Sequence, residues 1–155
     1  MKTSLPFCTI DVPEGWEDRS TFQYVSPPDP SLAAPLARTQ ASPTGRASVV
    51  IARAGRNLGP AKAAAAKFIE DMRAAVPSFN LADSTTWNHP IYGEVPVVHF
   101  TVETGLGVAV EQAQAFVTRT ATTTDALLTF SCVANRFKDH EARFRAMFEA
   151  LELTK

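Results

Sequence analysis

Apolar positions along this chain follow two periods, alternating every second residue over several short stretches and recurring every three to four residues over two longer ones. Residues 7–12 and 21–26 read as short strands. The Pro13-Glu14-Gly15-Trp16 turn joins them, because Pro13 cannot extend a ladder and Gly15 is free to take positive φ. Residues 27–45 hold Pro27, Pro28, Pro30, Pro35 and Pro43 among Ser, Ala and Thr, the composition of an extended loop. Residues 46–54 follow as a strand, and its Val49-Val50-Ile51 centre predicts burial on both faces.

Gly59-Pro60 announces the first helix, since the missing N–H of a proline has no helical partner in the first turn. Ala65, Phe68, Ile69, Met72 and Val76 form its apolar stripe, and Pro77 stops it. Residues 79–87, 96–103, 108–120 and 126–134 then alternate as four strands, with turns at 104–107 and 121–125. A last helix is predicted over 139–151, where Phe144, Met147, Phe148 and Leu151 repeat at helical spacing and lay an aromatic-rich face on a sheet.

Long antiparallel strands and two helices predict an α+β layer architecture, with the helices gathered on one sheet face and the other face uncovered. In 108–120 one side carries Val108, Val110, Gln112, Gln114, Phe116 and Thr118, and the other Ala109, Glu111, Ala113, Ala115 and Val117. The alanine-rich side suits close approach of a helix. Gln112, Gln114 and Phe116 then belong to the open side, where two amides offer donors and acceptors in an apolar strip.

Composition narrows the picture further. A chain of 155 residues, 45% hydrophobic and 20% charged, supports one core and so one domain over 1–155. The formal net charge of -1, with both signs scattered, gives no basic field for nucleic acid. No stretch of about 18 apolar residues is long enough for a membrane span. The first seven residues lack the apolar core of a signal peptide, which predicts a cytoplasmic protein without direct membrane insertion. Cys8 and Cys132, each in an apolar run, are read as buried free thiols, with a disulfide between them as the alternative.

Catalytic chemistry finds little support. His89, His99 and His140 lack metal-ligand spacing, no serine sits in a nucleophile elbow, and Gly105-Leu106-Gly107 is a hairpin turn rather than a phosphate cradle. Asp125, Asp139 and Glu141 read as loop or helix-start charges. The expectation is therefore a binding protein with no catalytic residue, metal or cofactor. An enzyme would need a deep pocket with a perturbed acid or histidine.

Four landmarks resemble, in order, those of the DcrB-related family, and most of all the Eag chaperones of bacterial type VI secretion. They are Ile10-Asp11-Val12-Pro13-Glu14-Gly15-Trp16-Glu17-Asp18-Arg19-Ser20, Ala47-Ser48-Val49-Val50-Ile51-Ala52-Arg53, Val76-Pro77-Ser78-Phe79-Asn80-Leu81, and Gln114-Ala115-Phe116-Val117. The resemblance runs from about Phe7 to Leu153. It implies a PsbP/Mog-like α/β/α sandwich and a homodimer that shields the hydrophobic N-terminal segment of a PAAR-containing effector until it is loaded on the secretion spike. Position by position, Gln114 matches a family glutamine that faces the client, and Val50 an apolar contact. Thr21 and Gln23 fall where the family is more apolar, and Phe68 stands where it has a second glutamine. The implied client-binding set is Gln114, Val50, Gln112, Thr21, Gln23, Phe68 and Phe116. The alternative is a DcrB-like structural or envelope-associated domain without an effector client.

Overall fold

A computed structural model describes residues 2–4, 9–11, 13–15, 21–27, 46–54, 58–103 and 107–154. The described strands are β1 (Lys2–Ser4), β2 (Thr9–Asp11), β3 (Thr21–Val25), β4 (Ser48–Arg53), β5 (Asn80–His89), β6 (Gly93–Glu103), β7 (Ala109–Val117) and β8 (Ala126–Val133). Helix α1 (Ala61–Ala75) lies between β4 and β5, and helix α2 (Phe137–Glu149) follows β8. Six strands form one antiparallel sheet in the order β3-β4-β8-β7-β6-β5. The α+β class read from the sequence is the observed one.

Strand β2 does not pair with β3. It makes a separate two-stranded antiparallel sheet with β1, a strand absent from the sequence reading. Gly15 does take positive φ, at 85°. Val12, Trp16 to Ser20, Cys8, the Pro-rich stretch 28–45 and turn residues 104–106 lie outside the described residues.

The two helices sit on opposite faces of the six-stranded sheet, which corrects the expectation that they gather on one. Alternation explains why. Val98, Phe100 and Phe116 point to one face, where Ala61, Ala64, Ala65 and Phe68 of α1 cover them. Ala113, Ala115, Leu128 and Phe130 point to the other, where Phe144 and Phe148 of α2 pack on them. Each face of the sheet carries its own apolar cluster, and each cluster demands its own cover. The small alanines of β7 do admit a helix closely, but the face with Phe116 is covered as well.

Each helix has local causes. Gly59, at φ 68°, turns the chain into Pro60, and the side-chain hydroxyl of Thr124 donates to the Gly59 carbonyl at 2.9 Å, tying the start of α1 to the β7–β8 connection. α1 ends with Val76 extended, as the residue before a proline prefers. α2 begins two residues before its predicted start, so Phe137 joins the core, 5% exposed. Asp139 in its first turn meets Arg136 at 2.9 Å and complements the positive helix end. Met147, assigned to the buried stripe, is instead 42% exposed, because the helix buries Phe144 and Phe148 and turns Met147 outward.

The β5–β6 hairpin is longer than its sequence signal. Pairing continues through Trp87↔Val95 to His89↔Gly93. Gly93 at φ 69° permits the tight turn, and His89 Nδ1 accepts the backbone N–H of Ile91 at 3.0 Å and of Tyr92 at 3.3 Å. The Tyr92 hydroxyl in turn accepts the Leu153 N–H at 2.6 Å, fastening the chain after α2 to this hairpin.

Candidate functional site

Sheet register brings most of the sequence-predicted contact residues onto one face. Gln23, Val50, Thr129 and Gln114 are consecutive partners across β3, β4, β8 and β7. Val25, Ser48, Ser131 and Gln112 form the adjoining row, and Thr21, Ala52, Leu127 and Phe116 the row on the other side. Residues two apart along a strand share a face, so these three rows make one surface.

Helix α1 divides that surface. Phe116, only 2% exposed, and Phe68 lie within the α1 layer, their ring centroids 5.8 Å apart, and Phe68 also stands 5.4 Å from Phe100. Phe116 therefore supports the surface from within rather than facing a partner, which corrects its reading as an open-face contact. Its ring belongs to the apolar half of the strand, which α1 shields from water. Beyond α1 the surface is polar and partly accessible, with Ser48 and Ser131 buried. Gln112, Gln114, Val50 and Thr129 are half-buried, and Thr21 and Gln23 are exposed.

Hydrogen bonding orients the two amides. The Thr129 hydroxyl donates to the Gln114 carbonyl oxygen at 3.3 Å, so the Gln114 NH2 group is left as a donor. Gln112 donates through its NH2 group to the Ser131 hydroxyl at 3.2 Å, leaving its carbonyl oxygen as an acceptor. Two neighbouring glutamines thus present complementary functions on a shallow strip edged by Val50 and Val25. Such a strip can satisfy isolated backbone groups of a bound segment while apolar contacts carry the rest.

The opposite face carries a feature that sequence reading missed. Between β5, β6 and α2 lies a cleft of about 530 Å³, lined by Asp83, Trp87, His99, Glu111, Lys138 and Arg145 among others. His99 Nε2 meets a Glu111 carboxylate oxygen at 2.7 Å, and the other oxygen accepts the Asn135 N–H at 3.2 Å. Asn135 reaches that position with φ at 68°, a conformation asparagine tolerates. The His99 ring lies against Phe137, tilted by 36° with centroids 4.4 Å apart, and the Arg145 guanidinium lies 4.0 Å above the Trp87 ring. His99 and Glu111 are diagonal neighbours on one face of the β6–β7 hairpin. The turn predicted at 104–107 contained that signal, had its register been extended along both strands.

Cys132, buried beneath α2, is a free thiol. Its removal from water, aided by the charges of Glu111 and Asp139, pushes its pKa up to about 12. Among the described residues no group of His, Cys, Asp and Glu could hold a metal ion, and no helix is long and apolar enough to cross a membrane.

No family model matches the chain, and no curated protein does. Ten chains of known structure match it. One is the Pseudomonas aeruginosa protein PA94, of unknown function and described as a candidate regulator. It superposes with a TM-score of 0.71 at 19% identity, covering 100% of this chain and 97% of that one. The two chains share a fold. At that identity the likeness reaches no further than the fold.

Proposed function

We propose that this protein is a cytoplasmic chaperone of the DcrB-related, Eag-like kind, which binds the hydrophobic N-terminal segment of a PAAR-containing type VI secretion effector and keeps it in water until it is loaded on the spike. The observation that carries this reading is the Gln23-Val50-Thr129-Gln114 row. Five of the seven nominated residues, Thr21, Gln23, Val50, Gln112 and Gln114, scattered over nearly a hundred positions of sequence, share that strip, while Phe68 and Phe116 pack under α1. Three layers of helix, sheet and helix agree with the PsbP/Mog-like sandwich that the resemblance implies.

The chemistry of the client fits the strip. A transmembrane segment is apolar all round and insoluble alone, and a broad surface with a few polar groups gives it a wall in water. One strip covers one side of a helix about 10–12 Å across. A homodimer could close a second strip over the other side.

Co-expression with the hydrophobic N-terminal segment of a PAAR-containing effector, followed by co-purification and mass determination, tests the proposal. A soluble complex holding two copies of this chain per segment is the expected result. A segment that stays insoluble while this protein purifies alone, across the effectors encoded beside it, overturns it and favours a DcrB-like structural or envelope-associated domain without a client.

A further inference from the structure

The cleft on the α2 face is charged on both walls, and on the α2 wall Glu141 meets Arg145 at 3.6 Å. Asp83 stands on the β5 wall and Lys138 on the α2 wall, and neither makes an ion pair among the described residues. A register shift between Leu81 and Asp83 re-aims the edge strand, so that Asp83 stands opposite His99. His99 is held by Glu111 through Nε2, and its Nδ1 has no hydrogen-bond partner among the described residues. Beside these polar groups the floor is dry, with Val97 1% and Trp87 4% exposed. At about 530 Å³ the cleft falls within the roughly 300–1,000 Å³ of small-molecule sites.

We propose that this cleft binds a small zwitterion, an amino acid or short peptide with a free amine, a free carboxylate and an apolar side chain. The ammonium group faces Asp83 and the carboxylate faces Lys138, each gaining a charge-assisted hydrogen bond. His99 Nδ1 accepts an N–H from the ligand, a role fixed by the Glu111 carboxylate that holds the Nε2 proton. The apolar side chain rests against Thr85 and the aliphatic stem of Arg145, whose guanidinium lies over the Trp87 ring. This site faces away from the glutamine strip and does not depend on the chaperone reading.

The test is an amide and side-chain NMR titration of the full chain with the dipeptide Ala-Leu, alongside its N-acetylated and C-amidated forms. Saturable shifts at Asp83, Trp87, His99 and Lys138 at millimolar dipeptide are expected, with each capped form binding about tenfold more weakly. Asp83→Asn should abolish the preference for the free amine and keep that for the free carboxylate, and Lys138→Gln should do the reverse. Both replaced residues are exposed, and an unchanged ligand-free spectrum verifies the fold of each variant. Equal binding of capped and free forms, shifts confined to other surfaces, or no saturable shift overturns the proposal.

Discussion

The two faces of the six-stranded sheet solve one geometrical problem in opposite ways. Strands about 4.8 Å apart make a sheet about 24 Å wide, and a helix about 10–12 Å across cannot cover it. α1 lies over β6 and the Phe116 part of β7, leaving β3, β4, β8 and the Gln112–Gln114 part of β7 to the glutamine strip. α2 lies over β8 and β7, and the cleft opens above β5 and β6. Both accessible surfaces exist because neither helix spans all six strands of its face. Their chemistry then differs, with amides and small hydroxyls on one face and fixed charges around a tryptophan on the other.

Removing packing from one face at a time has the largest expected effect on stability. Phe148 is fully buried against Trp87, with ring centroids 5.4 Å apart, and Phe148→Ala should cost about 3–5 kcal/mol in denaturant unfolding. Phe68 is only partly buried, and Phe68→Ala should cost about 1–3 kcal/mol. Because the sheet separates the two sites, their losses should add within about 0.5 kcal/mol in the double variant. A larger coupling would mean that the faces are not independent.

Glu111→Gln comes next, at about 1–2 kcal/mol, since it weakens the bonds to His99 and to the Asn135 N–H. The same substitution tests Cys132, whose pKa of about 12 rests first on burial and then on the Glu111 charge. The folded thiol holds its proton above its ordinary value near 9, while the unfolded chain releases it. The unfolded state then binds fewer protons, so this contribution is fully present below pH 9 and fades as pH rises toward 12. Urea midpoints measured over that window should fall, and less steeply in Glu111→Gln. Alkylation of Cys132, followed by peptide mass mapping, should require unfolding at neutral pH.

The smallest effect on stability belongs to Gln114→Ala. Its side chain is half-buried and bonded to Thr129, so unfolding midpoints should change little, whereas capture of the hydrophobic segment should weaken. Unfolding of this variant would place Gln114 in the core and remove it from the strip.

Period and punctuation carried much of the fold. The strands around Val49, Val98, Ala113 and Phe130 and both helices were legible because alternation, helical spacing and prolines are local properties. Partners were less legible. The pairing of β2 with β1 depends on which edge is available, and the extension of the β5–β6 hairpin to Gly93 on the bonds that His89 accepts. Of the predicted contact residues, Gln112, Gln114, Val50, Thr21 and Gln23 share the accessible strip, because strand parity alone decides a side chain's face once register is set. Phe116 has the same parity, but lies where α1 descends.

By itself the sequence determined which segments could be strands or helices, which strand faces were apolar, and where turns could form, because these follow from backbone preference and spacing over a few residues. Tertiary structure decided which face each helix took and how far across the sheet it lay. It also joined His99 to Glu111 and set Asp83 and Lys138 on facing walls. Those outcomes depend on competition among whole surfaces for burial, which no short window of sequence contains.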